Sequence, residues 1–289
     1  MPRKASSPSV RKQKLLRQSG FKAKKRLGQH FLIDEAVLET IVSAAELSPE
    51  DIVIEVGSGS GILTVELARR AGKVVAVELD TELASHLERR LALLTNVRIV
   101  NADILNLSLP QLLEGETNYK VVANLPYYIT SPILRYFVEA SAKPSLMVVM
   151  LQKEVGEAIV ASPGKMTLLA VSLQFYSKPR IVSHVLSQSF HPPPKVDSVI
   201  VRFDLLPEPA VKVADIDGFF EVVRCGFSSR RKQLRNSLAK GMGVEPAEAA
   251  LLLEGARIEP QRRAETVSLE EWGRLYEFVA AARAGKAQC

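Results

Sequence analysis

The stretch Asp51-Ile52-Val53-Ile54-Glu55-Val56-Gly57-Ser58-Gly59-Ser60-Gly61 decides the fold. Its first half is an apolar run broken only by Glu55, the pattern of a strand covered on both faces. Its second half puts glycine at every other position, a turn where backbone can approach a ligand with no Cβ in the way. Residues 62–70 then read as a helix ending near Gly72. Strand, glycine turn and helix in that order begin an open α/β sheet. A nicotinamide-type G-x-G-x-x-G loop starting at Gly57 requires glycine at position 62, which is Ile62, and no lysine follows where a Walker-type phosphate loop needs one. Taken alone, the turn is equally compatible with a tight strand-to-helix connection.

Working outward, strands and helices keep alternating. Residues 74–78 form a second strand ending in Glu78, and 81–93 a helix with Leu83, Leu87 and Leu91 on one face. Strands over 97–100 and 120–123 follow, then a helix opened by Ser131-Pro132, and further strands over 146–151, 171–175 and 198–205. Upstream, Asp34 has the position of an N-cap for a helix running to Leu47. This series predicts a largely parallel, Rossmann-like sheet with helices on both faces. After Pro207-Glu208-Pro209 the pattern becomes all-helical, with segments over 219–225, 231–239, 247–253 and 269–282. Trp272, with Leu269, Tyr276 and Val279 at helical spacing, is expected in the core. The expected organisation is a basic arm (1–24), an α/β domain (25–207) and a small helical domain (208–289).

The charge is unevenly placed. Ten Lys or Arg and no acid fall within residues 1–30, and the remaining 28 basic and 32 acidic residues leave the rest of the chain at about −4. An arm of this kind, Lys24, Lys25 and Arg26 included, suits a phosphate backbone, where each neutralised phosphate releases counterions. A solubilising tail is the alternative reading. The apolar runs are far shorter than the ~20 residues of a membrane-spanning helix, and the arm lacks the apolar stretch of a secretory signal. Cys225 and Cys289 give neither a disulfide framework nor a metal-ligand spacing. A cytoplasmic protein with no metal site is expected.

Three features fall at the ends of consecutive strands, where open α/β sheets bind ligands. These are the glycine turn with Gly57 and Gly59, Glu78 about twenty residues on, and Asp103 in Asn101-Ala102-Asp103. Glu78 is placed to take the hydroxyls of a ribose, and Asp103 to accept from an adenine amine. Each acid singly is also a good helix cap or loop end. Together they fit S-adenosyl-L-methionine better than a dinucleotide.

After the fourth strand comes Asn124-Leu125-Pro126-Tyr127. An exocyclic amine on a base is a poor nucleophile, because its lone pair is delocalised into the ring. The Asn124 side-chain oxygen and the Leu125 carbonyl, accepting both amine hydrogens, would favour a pyramidal nitrogen with a freer lone pair. Pro126 fixes the turn, Tyr127 can stack on the base, and Tyr128 helps to shape the pocket. A proline turn with core-packed tyrosines is the bland alternative.

Ordered segments through most of the chain carry a resemblance. They are Arg26-Leu27-Gly28-Gln29-His30-Phe31-Leu32, the glycine turn, Glu78-Leu79-Asp80, Asn101-Ala102-Asp103, Asn124–Tyr127, Gln152-Lys153-Glu154-Val155, the segment 190–198 and the segment 227–238. The sequence resembles the ribosomal RNA adenine N6,N6-dimethyltransferases, and among them the bacterial small-subunit enzymes. The resemblance implies a class I methyltransferase domain followed by a helical domain, with S-adenosyl-L-methionine as cofactor. It implies that His30 and Leu32 line the cofactor pocket with Gly57, Glu78, Asp103 and Asn124. It also implies that Phe190 packs against the target base opposite Tyr127, and that Arg230, Arg231 and Lys232 contact RNA. The implied substrate is a pair of adjacent adenines in the hairpin loop near the 3′ end of small-subunit rRNA, each receiving two methyls. The implied partner is the assembling small ribosomal subunit, bound by a monomer. Asparagine is frequent in the family where this chain has His30, and histidine there resembles an accepted variant. One departure stands out: the loop over 161–168 is shorter than usual and lacks a Tyr-Gly pair. The nearest alternative enzyme is a large-subunit rRNA adenine methyltransferase. A non-catalytic RNA-binding factor of the same fold is a different class, and would be expected to carry a decayed glycine turn or tetrapeptide.

Overall fold

In the computed structural model, residues 29–286 are described, so Lys24, Lys25, Arg26 and the rest of the basic arm lie outside the described residues. A two-residue strand, β1 (Phe31–Leu32), leads into helix α1 (Glu35–Ala44). Asp34 caps that helix, its Oδ1 accepting from the Ala36 and Val37 amides at 3.0 and 3.4 Å. These are donors that the first helical turn cannot satisfy by itself. Alternation then follows through β2 (Ile52–Val56), α2 (Ile62–Ala68), β3 (Lys73–Glu78), α3 (Thr81–Arg90), β4 (Val97–Asn101) and the short α4 (Leu109–Leu112). It continues through β5 (Lys120–Asn124), α5 (Thr130–Val138), β6 (Leu146–Gln152) and α6 (Lys153–Ile159). Helix α7 (Leu168–Tyr176) and strands β7 (Ser177–Val185), β8 (Phe190–His191) and β9 (Ser198–Leu205) complete the series.

Seven strands form one sheet in the order β4-β3-β2-β5-β6-β9-β7. From β4 to β6 the strands are parallel, as the alternation predicts, while β9 runs antiparallel to β6. Val53, Ile54, Val74, Val75, Val121 and Val148 are fully buried, which is why these strands read as apolar runs rather than alternating ones. The chain passes outward from β2 to β4 and then restarts on the other side of β2 with β5. That reversal makes a switch point at the carboxyl ends of β2 and β5, where a crevice opens in such sheets.

The contacts divide the chain into two units, Met1–Gly156 with Arg180–Leu205, and Glu157–Pro179 with Leu206–Cys289. The second unit resumes at Leu206. The segment 157–179, expected within the continuous domain 25–207, groups with the helices. Part of this segment is also the one element whose type differs. Residues 171–175, read as a strand, belong to α7. Thr167 caps that helix by accepting from the Ala170 amide at 3.1 Å, and the leucines, alanine and glutamine in it are good helix formers. The strand reading rests on Val171 as a β-branched residue and on the alternation of Val171, Leu173 and Phe175 with Ser172 and Gln174. The strand present here is β7, which the sequence reading does not include; its Pro179 is tolerated because β7 is the edge of the sheet.

The second unit is built on α7 and on α8 (Ile216–Gly226), α9 (Leu234–Met242), α10 (Pro246–Gly255) and α11 (Leu269–Lys286). Phe175 stacks on Phe219 with ring centroids 4.8 Å apart and meets Phe220 edge-on at 5.1 Å. Trp272 is fully buried, as its spacing predicts. The short loop over 161–168 is held inside this unit, the Gly164 and Met166 amides both donating to the Glu265 carbonyl at 2.8 and 3.0 Å. Arg230, Arg231 and Lys232, expected on a helix, lie instead on an exposed turn. Gln233 is extended, and the Leu234 amide bonds to the Arg262 carbonyl, so α9 starts only at Leu234. Among the described residues no helix is long and apolar enough to cross a membrane, and no cluster of His, Cys, Asp or Glu is placed to hold a metal.

Candidate active site

An open cavity lies at the switch point in the first unit. The glycine turn forms its floor. Gly57, Gly59 and Gly61 have φ of +74°, +53° and +74°, a left-handed conformation that costs a residue with a Cβ roughly 1–2 kcal/mol. At Gly57 a Cβ would also stand 3.4 Å from Cδ of Pro126, and at Gly59 3.3 Å from the Phe31 ring. The turn is therefore seated directly against the tetrapeptide on one side and the entering chain on the other. Arg90 donates to the Ser60 carbonyl and holds the far end of the turn.

Glu78, at the end of β3, faces the same space. One carboxylate oxygen accepts the Gly59 amide at 2.8 Å and the other the Asp80 amide at 2.9 Å. Burial raises its pKa, partly offset by those two backbone bonds. Asp103 lines the cavity half-buried, its Oδ1 accepting the Leu105 amide at 3.0 Å, so the cap reading and the cavity reading of this residue are both realised.

The tetrapeptide follows β5. The Leu125 amide donates to the Met150 carbonyl at 3.0 Å, and the Pro126 carbonyl accepts from the Ile129 amide at 3.2 Å and the Thr130 hydroxyl at 3.1 Å. Among the described residues we find no donor to the Leu125 carbonyl. Asn124 Nδ2 donates to the His30 carbonyl at 3.4 Å, which leaves Oδ1 as the acceptor end of the amide. The His30 ring lies near Tyr127, with centroids 6.0 Å apart and planes 26° from parallel. Its Nδ1 donates to the Pro192 carbonyl at 2.7 Å, a bond that places the proton on Nδ1 because a carbonyl can only accept. The Tyr127 hydroxyl meets Ser198 Oγ at 2.5 Å.

His30, Leu32, Gly57, Gly59, Glu78, Asp103, Asn124, Leu125, Pro126 and Tyr127 thus all line one cavity. Phe190 does not. It is 2% exposed, packed in the core, and pairs with Leu32 across the β1–β8 ribbon. Facing Tyr127 across a base, the position expected for it, is therefore not the arrangement here. A large aromatic on a two-residue strand gains more from burial than from the open crevice. Residues without a sequence-level assignment also appear. Gln29 Nε2 donates to Asp80 Oδ2 at 3.0 Å, and Phe31 rests on Gly59, so that residues 29–32 cross the glycine turn. A lone glutamine and phenylalanine carry no signal of this; Glu55, a single carboxyl in an apolar strand, does carry one.

Glu55 is 1% exposed and accepts the Thr64 hydroxyl at 2.6 Å. Burial, aided by the nearby Glu78 charge and opposed by hydroxyl donors, pushes it from 4.5 up to about 8. Between these values the folded protein keeps a proton that the unfolded chain loses. Stability therefore falls as pH rises across that window, by about 1.4 kcal/mol per pH unit, and levels off above it. Glu55→Gln should remove this slope. Urea midpoints of the two proteins are expected to diverge in favour of the variant between pH 5 and pH 8; parallel pH curves would show that Glu55 is ionised in its strand.

Comparison with known proteins follows the same lines. The family model described as ribosomal RNA adenine dimethylase matches residues 20–281. A ribosomal RNA small subunit methyltransferase A from Dehalococcoides mccartyi is 49% identical over 275 residues, 94% of each chain. One of the same name from Clostridium botulinum is 42% identical over 261 residues, covering 90% of this chain and 94% of the relative. Among solved structures, the 23S rRNA methyltransferase ErmE superposes with a TM-score of 0.70 at 30% identity, over 86% of this chain and 99% of that one. A dimethyladenosine transferase from Plasmodium falciparum does so with a TM-score of 0.72 at 25% identity, over 88% and 98%. With a class I sheet, a glycine turn at its switch point and an intact Asn-Leu-Pro-Tyr tetrapeptide, the chain belongs to the ribosomal RNA adenine dimethylase family.

Proposed function

We propose that this enzyme uses S-adenosyl-L-methionine to dimethylate N6 of two adjacent adenines in the 3′-terminal hairpin loop of small-subunit rRNA, acting as a monomer on the assembling subunit in the cytoplasm. The observation that carries this reading is the convergence of the glycine turn, Glu78, Asp103 and the tetrapeptide on one cavity. The residues present fit the cofactor: the left-handed glycines leave backbone open to a ligand, and Glu78 offers a carboxylate already held by two amides. When bound, the cofactor supplies a sulfonium methyl that a nitrogen nucleophile can take in line.

The protein's own part is to make N6 nucleophilic and hold it still. Asn124 Oδ1 and the Leu125 carbonyl accept the two N6 hydrogens and favour a pyramidal nitrogen. Tyr127 supports the face of the base, and alignment does much of the rest. No strong general base is needed, because the N6 proton becomes acidic as the nitrogen is alkylated. Bringing N6 to the cavity requires an extruded adenine, and unstacking costs least in a hairpin loop. The exposed Arg230, Arg231 and Lys232, with Lys24, Lys25 and Arg26, supply phosphate contacts. Small-subunit rather than large-subunit rRNA is favoured by the higher identity to the small-subunit relatives than to ErmE. Labelled methyl transfer should appear on small subunits lacking the modification and not on large subunits; the opposite preference would reassign the substrate.

A further inference from the structure

Tyr127 is held at its far end by a residue outside the tetrapeptide. Ser198 is the first residue of β9, fully buried, and pairs with Gln152 at the end of β6. The residue before it is pinned twice, since Asp197 Oδ1 accepts the Ser187 amide at 2.9 Å and its carbonyl accepts the Lys153 amide at 3.0 Å. Ser198 Oγ is thus a fixed point of the sheet. Tyr127 itself begins a three-residue 3₁₀ turn, a far less constrained place. The 2.5 Å bond between the two hydroxyls, in which either can donate, ties the para end of the ring to the sheet, while the His30 ring lies alongside its face.

We propose that Ser198 is a positioning residue for the methyl acceptor, fixing through the Tyr127 hydroxyl the plane on which the target adenine rests. This rests on the reading of Tyr127 as the platform for the base. A stacking platform contributes to turnover only if its plane is set before the base arrives, since a small misplacement of the reacting nitrogen is costly. Burial raises the Tyr127 phenol, and the Ser198 bond only partly offsets this, so both hydroxyls stay neutral and the pair needs no counter-charge. Alanine at position 198 would remove one oxygen from a packed site and leave the backbone pairing of β9 intact.

The test is a double-mutant cycle on kcat for methyl transfer to unmethylated small subunits, with KM for the particle and Kd for S-adenosylmethionine measured alongside. Ser198→Ala and Tyr127→Phe are each expected to lower kcat by about tenfold, on the scale of one buried hydrogen bond, with KM and Kd changed less than twofold. The double variant should be no slower than either single one, because both remove the same bond. A double variant slower by the product of the two effects, or a Ser198→Ala enzyme with normal kcat, would overturn the inference. If Ser198→Ala does not fold, Tyr127→Phe alone decides: unchanged kcat overturns the proposal and a tenfold loss supports it. Tyr127→Ala, which removes the ring, separates the two levels. Retained turnover in that variant overturns the platform reading itself and the inference with it.

Discussion

Asn124→Ala should lower kcat for methyl transfer by about 10²–10³-fold, the range seen when one preorganised polar group at a reacting centre is deleted. The loss is expected to be large because the first transfer draws on acceptors for both N6 hydrogens and the second on an acceptor for the one that remains, and Oδ1 supplies one of the two acceptors. Cofactor affinity should weaken much less. In the folded enzyme the Asn124 amide nitrogen bonds to the His30 carbonyl, so its removal loosens the entering segment at one point only. Other contacts hold that segment: the β1–β8 ribbon, the His30–Pro192 bond and the Gln29–Asp80 bond. Turnover within a few-fold of the parent enzyme would refute the activation role. A loss confined to cofactor binding would move Asn124 from the acceptor side of the cavity to the donor side.

The second large effect is expected at Glu78. Glu78→Ala should weaken S-adenosylmethionine binding by about 100-fold, corresponding to one or two charge-assisted hydrogen bonds. Glu78→Gln should be nearly as damaging. Each carboxylate oxygen already accepts a backbone amide, from Gly59 and from Asp80. A glutamine must therefore turn its own NH₂ toward one of two N–H donors, and the turn that carries Gly59 has to move. Titration calorimetry checks this; glutamine binding within threefold of the parent would mean that the carboxylate charge and both acceptor oxygens are dispensable. Because burial raises the Glu78 pKa, cofactor affinity should also fall as pH drops, starting at a higher pH than an ordinary glutamate would set.

How much of this was legible beforehand varies with the physics involved. Parallel strands buried on both faces announce themselves as apolar runs, and their carboxyl ends point to one crevice, so Glu78, Asp103 and the tetrapeptide could be placed together from the sequence. Glycine spacing foretold a turn, and all three glycines proved left-handed. Residues 171–175 read as a strand because Val171, Leu173 and Phe175 alternate with Ser172 and Gln174, whereas the helix is set by the Thr167 cap four residues upstream. Arg230–Lys232 looked helical, since the break at Gln233 depends on a tertiary bond from Leu234 to Arg262. Phe190 was placed from resemblance, and the burial that removes it from the cavity is a packing outcome with no local signal. Ser198 closes the segment 190–198 that carries that resemblance, yet nothing in the segment says that its hydroxyl meets a tyrosine about seventy residues earlier.

The central claim is that this cavity methylates N6 of adenine in small-subunit rRNA. The most direct test incubates the enzyme and labelled S-adenosylmethionine with small ribosomal subunits from a strain lacking the modification, followed by nucleoside analysis of the hairpin loop. The account predicts N6,N6-dimethyladenosine at two adjacent loop positions, abolished by Asn124→Ala. Tight binding of the particle with no labelled adenine in that loop would contradict it.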